Sequence, residues 1–150
     1  MEFRDDLMFP GLEVTDRDEL LGVLGGAVIA AGLAKETYSA ALRDREVSFP
    51  TGLPVSGGVA IPHTSAEWVM ANTIACATLA HPISFHEMGG EADSEIAVST
   101  VFLLVVADST QQVKLLSSLI RKLRDGRFVA ELRTADTPAA MCRILATTLT

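Results

Sequence analysis

Cysteine, aromatic side chains and positive charge are all scarce in this chain. Its 150 residues hold two cysteines, Cys76 and Cys142. They lie far apart and outside any CxxC spacing, so neither a disulfide framework nor a zinc ribbon follows. Twelve basic residues face 19 acidic ones, for a net charge of -7 and a pI near 4.8. A nucleic-acid binder needs a basic stripe to displace counterions from phosphates. Docking on anionic lipid needs charge of the same sign. Neither nucleic acid nor a membrane surface is therefore expected as a partner. Long hydrophobic runs are missing too. The longest uncharged apolar stretch, Leu20–Ala34, has 15 residues, four of them glycine. A spanning helix needs roughly 20. The opening segment, MEFRDDLMFP, is charged within its first six residues and has no apolar signal core. A soluble, cytoplasmic domain is expected. There is no GxSxG elbow, no GxxxxGK loop and no GxGxxG fingerprint. The histidines, His63, His81 and His86, fit no metal spacing such as HExxH, so no metal and no cofactor is expected.

What is present is a foldable mixture, 49% hydrophobic and 21% charged. That excludes disorder and predicts one domain over residues 1–150. Leu7-Met8-Phe9, stopped by Pro10-Gly11, predicts a short edge strand. Thr15 and Asp16, with Asp18 and Glu19 behind them, predict a helix to about Ala31 with Gly32 after its end. Gly22, Gly25 and Gly26 weaken it, so close packing against a neighbour is needed. A second helix is expected over about Lys35–Glu46. Its apolar positions Tyr38, Ala41 and Leu42 continue by i+7 onto Arg45. The Phe49–Pro54 segment breaks any helix. Short strands are predicted at Val59–Ile61, Thr73–Leu79 and Ile83–Phe85, and a central one at Ala97–Ala107, apolar on both faces. Ser109 opens the next helix, with Gln112 three residues on as in a capping box, and Val113, Leu116, Ile120 and Leu123 form its apolar face. Helices at about Arg127–Arg133 and Pro138–Leu149 end the chain. This order predicts a three-layer α/β domain, a mixed sheet with helices on both faces.

One histidine stands apart. His63 follows Gly57-Gly58-Val59-Ala60-Ile61-Pro62, which reads as a glycine turn, a short strand and a proline that cannot donate to the ladder. That places the next side chain at the rim of the sheet. Thr64 and Ser65 would add hydroxyls and free N–H groups beside the imidazole. Two roles fit: a phosphoryl acceptor, neutral and nucleophilic at pH 7, or a turn histidine bonded to backbone. Arg45 also has two. On an apolar face a charge needs an anion, while a last-turn arginine is favoured by the helix dipole or by pairing with Glu46.

Arg45-Glu46-x-x-Phe49-Pro50-Thr51-Gly52-Leu53, then Gly58-Val59-Ala60-Ile61-Pro62-His63, resembles the IIA domain of the fructose/mannitol class of the bacterial phosphoenolpyruvate:sugar phosphotransferase system. The likeness continues in Pro82-Ile83-x-Phe85-x-x-Met88-Gly89, in VFLLVVA and in Gln112-Val113-Lys114-Leu115-Leu116. The Phe-x-x-Met-Gly piece and Gln112 resemble the galactitol-specific branch. The resemblance implies a mixed five-stranded sheet flanked by helices. It implies that His63 takes a phosphoryl group from HPr, as tele-phosphohistidine. The group then passes to a cysteine of a IIB component, which serves a membrane-bound IIC. Arg45 matches the family's active-site arginine, and Thr64 and Ser65 would bind phosphate. Where fructose and mannitol relatives carry a second histidine, this chain has Gln112. Its amide either bonds the phosphate or imidazole, or only closes the capping box with Ser109. His81 and His86 match no family role and read as a pre-proline turn histidine and a surface histidine. Trp68, near Glu67, reads as a packing residue or a partner anchor, and Cys76 as core. The resemblance leaves one alternative, a regulatory IIA-like module of the nitrogen-related type, distinguished by its partner.

Overall fold

The computed structural model describes residues 1–91 and 93–149. Five strands form one sheet in the order β1-β4-β5-β3-β2. They are β1 (Met8–Leu12), β2 (Gly52–Leu53), β3 (Val59–Ala60), β4 (Thr73–His86) and β5 (Glu95–Val105). The long pair β4–β5 is antiparallel, β1 joins β4 and β3 joins β5 in parallel, and β2 closes the edge antiparallel to β3. Side chains alternate between the two faces, the period-2 rule of a pleated strand. Ala75, Ala77, Leu103 and Val105 enter one core with Leu24 and Val28 of α1 (Arg17–Ala30) and Tyr38 and Leu42 of α2 (Tyr38–Ser48). Ile74, Cys76, Phe102 and Leu104 enter the other. There they meet α3 (Ser109–Leu123), α4 (Gly126–Thr134) and α5 (Pro138–Leu149). The sheet is thus covered on both sides, as the three-layer reading requires. No helix among the described residues is long and apolar enough to cross a membrane.

Local chemistry accounts for most element ends. Asp16 caps α1 by accepting the Glu19 N–H at 2.8 Å, and Glu19 reaches back to the Thr15 N–H at 3.2 Å. Close packing replaces helix propensity in α1: a Cβ on Gly25 would strike Ser39 Oγ, and one on Gly22 would strike the Arg43 guanidinium. Gly26 meets nothing, so only two of the three glycines serve this contact.

Four expectations need correction. β1 does not stop at Pro10-Gly11. It runs on to Leu12, because an edge strand tolerates proline and Gly11 bulges, its N–H bonding Thr78 Oγ1 at 3.0 Å. The two strands predicted at Thr73–Leu79 and Ile83–Phe85 are one, with Pro82 lying inside the register shift between Thr78 and Ile83. α2 begins at Tyr38 rather than Lys35: the Lys35 carbonyl accepts the Tyr38 N–H at 3.0 Å in an i to i+3 turn, and the Lys35 N–H donates to the Trp68 carbonyl at 3.2 Å. Val113 is 64% exposed: its first-turn place on α3 lies at the rim, and the packed face of that helix runs through Leu115, Leu116, Leu119 and Leu123.

Candidate active site

β3 is only two residues long, yet it fixes the site. Its parallel register with β5 sets Val59 beside Thr100 and Ala60 beside Val101. Pairing persists past the strand: the Leu104 N–H donates to the Pro62 carbonyl at 3.0 Å, and His63 bridges Leu104. Gly58 makes this approach possible. Its φ is +91°, and a Cβ there would collide with the carbonyl of Ala97. The chain therefore leaves the sheet at His63, at the same end where β5 gives way to α3.

The His63 ring is held by its own strand. Nδ1–H donates to the Ile61 carbonyl at 2.8 Å. A carbonyl only accepts, so this bond places the proton on Nδ1 and leaves the lone pair on Nε2. Burial pushes the pKa of His63 below 6.5; the positive Arg45 adds to that, and the Ile61 bond opposes it. The imidazole is thus neutral near pH 7.

Arg45 lies in the last turn of α2, its guanidinium carbon 4.3 Å from the centre of the Phe49 ring. Among the described residues no carboxylate comes within ion-pair distance of it. Its Nε is buried and without a hydrogen-bond partner. The pairing with Glu46, one of the alternatives for this arginine, is not formed. Nor does Arg45 occupy the buried stripe of α2: Tyr38 and Leu42 continue by i+4 onto Glu46, which is 2% exposed, and Arg45 sits half-buried beside it. The Glu46 carboxylate accepts the Thr51 N–H at 2.7 Å and the Thr51 hydroxyl at 2.8 Å. Glu46 was legible as the fourth residue after Leu42, had the stripe been continued by four rather than three.

The capping box at Ser109 does not form. Asp108 is the N-cap of α3, accepting the N–H groups of Thr110 and Gln111 at 2.8 and 3.0 Å. Gln112 is thereby free to cross the rim, and its Nε2 donates to the Thr64 carbonyl at 2.7 Å. Thr64 itself is buried, its hydroxyl donating to the Ser65 carbonyl at 3.0 Å, so this hydroxyl is occupied rather than offered to an anion. Ser65 is exposed, ahead of a 3-10 turn at Ala66–Trp68, and its hydroxyl donates to the Glu67 carboxylate at 3.3 Å.

An open groove of about 680 Å³ runs past the imidazole, walled by Phe49, Pro50, Thr51, Met88 and Leu116. His86 also lines it. Sequence reasoning placed His86 on the surface; it is half-buried at the end of β4, with Nδ1 unpartnered. His81 is exposed and lies on a strand rather than in the turn expected for it. Trp68 packs half-buried against the α1–α2 core. Burial holds the thiols up, Cys76 strongly and Cys142 to about 11, so neither is a ready thiolate. The arrangement is suited to an electrophilic, anionic group: a neutral nucleophilic nitrogen within electrostatic range of an arginine that has no ion-pair partner among the described residues.

The protein-family model described as "Phosphoenolpyruvate-dependent sugar phosphotransferase system, EIIA 2" matches residues 1–147. The chain is 35% identical over 125 residues to the galactitol-specific EIIA component of the Escherichia coli K12 phosphotransferase system, covering 83% of this chain and 82% of that one. Its fold matches IIA mannitol from Escherichia coli with a TM-score of 0.77 at 20% identity, over 97% of this chain and 99% of the other. It also matches a complex of enzyme IIA and phosphorylated enzyme IIB for mannitol from the same organism, with a TM-score of 0.76 at 21% identity, over 97% of this chain and 98% of that one.

Proposed function

The chain belongs to the EIIA 2 family of the phosphoenolpyruvate-dependent sugar phosphotransferase system, and we propose that within it His63 is the phosphoryl carrier of a cytoplasmic IIA component. The observation that carries this reading is the imidazole whose Nδ1–H is tied to Ile61 while Arg45 waits unpaired nearby. In the first step Nε2 attacks the phosphorus of phosphohistidine on HPr. The donor's P–N bond breaks with its electron pair returning to the donor imidazole, a P–Nε2 bond forms from the Nε2 lone pair, and the proton stays on Nδ1, hydrogen-bonded to the Ile61 carbonyl. The product is a tele-phosphohistidine. In the second step a IIB thiolate attacks the same phosphorus, forming P–S and returning the lone pair to Nε2. Both steps exchange one P–N bond for another bond of similar strength, so catalysis is mostly positioning and charge stabilisation. Arg45 supplies a planar fork for two phosphoryl oxygens. Ser65, rather than Thr64, has a hydroxyl able to turn toward them, and Gln112 holds the 64–65 segment in place.

IIB as acceptor is favoured by the mannitol IIA–IIB complex of the same fold, and IIC follows only indirectly through IIB. The likeness to a galactitol-specific component favours galactitol or a related polyol. The test is incubation with phosphoenolpyruvate, enzyme I and HPr, followed by intact mass. One phosphoryl group should appear on the wild type, acid-labile and base-stable, and none on His63→Ala. Equal labelling of both proteins would remove His63 from the reaction. Addition of a galactitol-type IIB should discharge the phosphoprotein; a stable phosphoprotein that binds a kinase, channel or transcription factor would mark the regulatory module instead.

A further inference from the structure

Phe49 has no part in the transfer steps above, and its ring packs into neither of the two apolar clusters of the fold. Backbone rules fix its place. It lies four residues after Arg45, the spacing at which side chains meet along one helix face. It closes α2 as the C-cap, its N–H donating to the Arg45 carbonyl at 2.7 Å. Pro50 then bars it from the helical region, and its φ of -136° and ψ of 80° lie outside that region. The ring is 60% exposed and walls the His63 groove. A lone exposed apolar side chain is ordinary; what this one touches is not. The guanidinium carbon of Arg45 lies over it, 4.3 Å from the ring centre.

That contact answers a need of the arginine. Arg45 has no ion pair among the described residues, and its Nε has no hydrogen-bond partner. A carboxylate would hold it but occupy the donors that a phosphoryl group requires. An aromatic ring holds a guanidinium by its face, while hydrogen bonds use its edge. Stacking therefore fixes the side chain and leaves the donors free. We propose, building on the phosphoryl-carrier reading, that Phe49 is a positioning residue: its ring holds the Arg45 guanidinium at the wall of the His63 groove, with the in-plane donors open to phosphoryl oxygens. Nε is buried, so the edge that meets the oxygens carries the two Nη atoms. A long side chain is thereby ordered before the phosphodonor arrives, and that ordering does not have to be supplied during transfer. The depression of the His63 pKa by Arg45 depends on the same hold.

The test is a double-mutant cycle over Phe49→Leu and Arg45→Ala. Leucine keeps an apolar side chain at the groove wall but has no π face. Single-turnover transfer from phospho-HPr, read by rapid quench over a range of donor concentrations, separates the saturated rate from the apparent affinity. Phe49→Leu should lower the saturated rate about two- to fivefold, the worth of an exposed cation–π contact. Phe49→Tyr, which restores the face, should recover most of that loss. On the Arg45→Ala background, Phe49→Leu should cost nothing further. An equal loss on both backgrounds, or a loss in apparent affinity alone, would make Phe49 an apolar docking contact and overturn the proposal while leaving His63 as carrier. A wild-type rate in Phe49→Leu would overturn it as well. NMR titration of His63 reads the same cycle without any phosphodonor: its pKa should rise in Phe49→Leu, and the double variant should match Arg45→Ala. If wild type accepts no phosphate, the carrier reading fails, and the titration decides the Phe49–Arg45 contact by itself; equal His63 pKa values in wild type and Phe49→Leu would then overturn it.

Discussion

Removing the charge of Arg45 should slow phosphoryl transfer strongly and leave the fold almost as stable as before. The stability part follows from opposing contributions. Arg45→Ala loses a cation–π contact with a Phe49 ring that is 60% exposed, about 0.5–1 kcal/mol. It also loses a favourable last-turn charge, about 0.3–1 kcal/mol. Against these, a buried Nε without a partner disappears, and such a group costs about 1–3 kcal/mol. The sum lies near zero. For a chain of this size about 1 kcal/mol moves Tm by about 2–4 °C, so Tm should stay within about 4 °C of wild type. Transfer has no such cancellation. Hydrogen bonds to a charged group contribute about 1.5–3 kcal/mol, and about 1.4 kcal/mol is a factor of ten in rate. Arg45→Ala should therefore transfer about 10- to 150-fold more slowly. Arg45→Lys keeps a point charge without the fork and should fall between, about tenfold slower than wild type. Rapid-quench transfer from phospho-HPr and thermal unfolding of the same samples measure both. A further sign is available: Arg45 helps to depress the His63 pKa, so that pKa should rise in Arg45→Ala. A Tm loss of about 10 °C with transfer unchanged would make Arg45 a structural residue and refute the reasoning.

The pH response of His63 carries a definite sign. Its folded pKa lies below 6.5, so below that value the unfolded chain binds a proton that the folded site resists. Stability is present above about pH 6.5 and is lost as pH falls through the folded pKa; His63→Ala should lose less stability than wild type over that window in chemical denaturation. The transfer rate, which needs the neutral ring, should hold its plateau to a pH lower than an ordinary histidine would allow, and a midpoint above 6.5 would contradict the burial. Gln112→Glu turns the donor to the Thr64 carbonyl into an acceptor and sets a negative charge against that carbonyl. It should cost about 1–3 kcal/mol in Tm measurements and slow transfer by more than tenfold, and matching wild type in both would leave Gln112 without a role. Gly58→Ala forces an L side chain to φ +91° against the Ala97 carbonyl. It should cost more than the ~1–2 kcal/mol of left-handed backbone alone, and an unchanged denaturation midpoint would mean that β3 can shift.

Much of the fold was legible before any coordinates, for a physical reason. Asp16 at the start of α1 and Pro138 at the start of α5 work within one turn of chain, and VFLLVVA is apolar on both faces wherever its partners come from. His63 was legible because glycine, a short strand and proline are backbone instructions that place the next residue at a rim. The partners of polar side chains were not, since they are chosen across the fold. Glu46 displaced Arg45 from the buried stripe because Thr51 folds back to offer it two donors. The Gln112 side chain turns away from the end of its own helix because Asp108 already caps it and the Thr64 carbonyl lies within reach. His86 entered the His63 groove because β4 runs through Pro82 as one strand and delivers its end there. Periodicity states which residues share a face; only tertiary contact decides which buried donor meets which acceptor, because that depends on residues far apart in the chain.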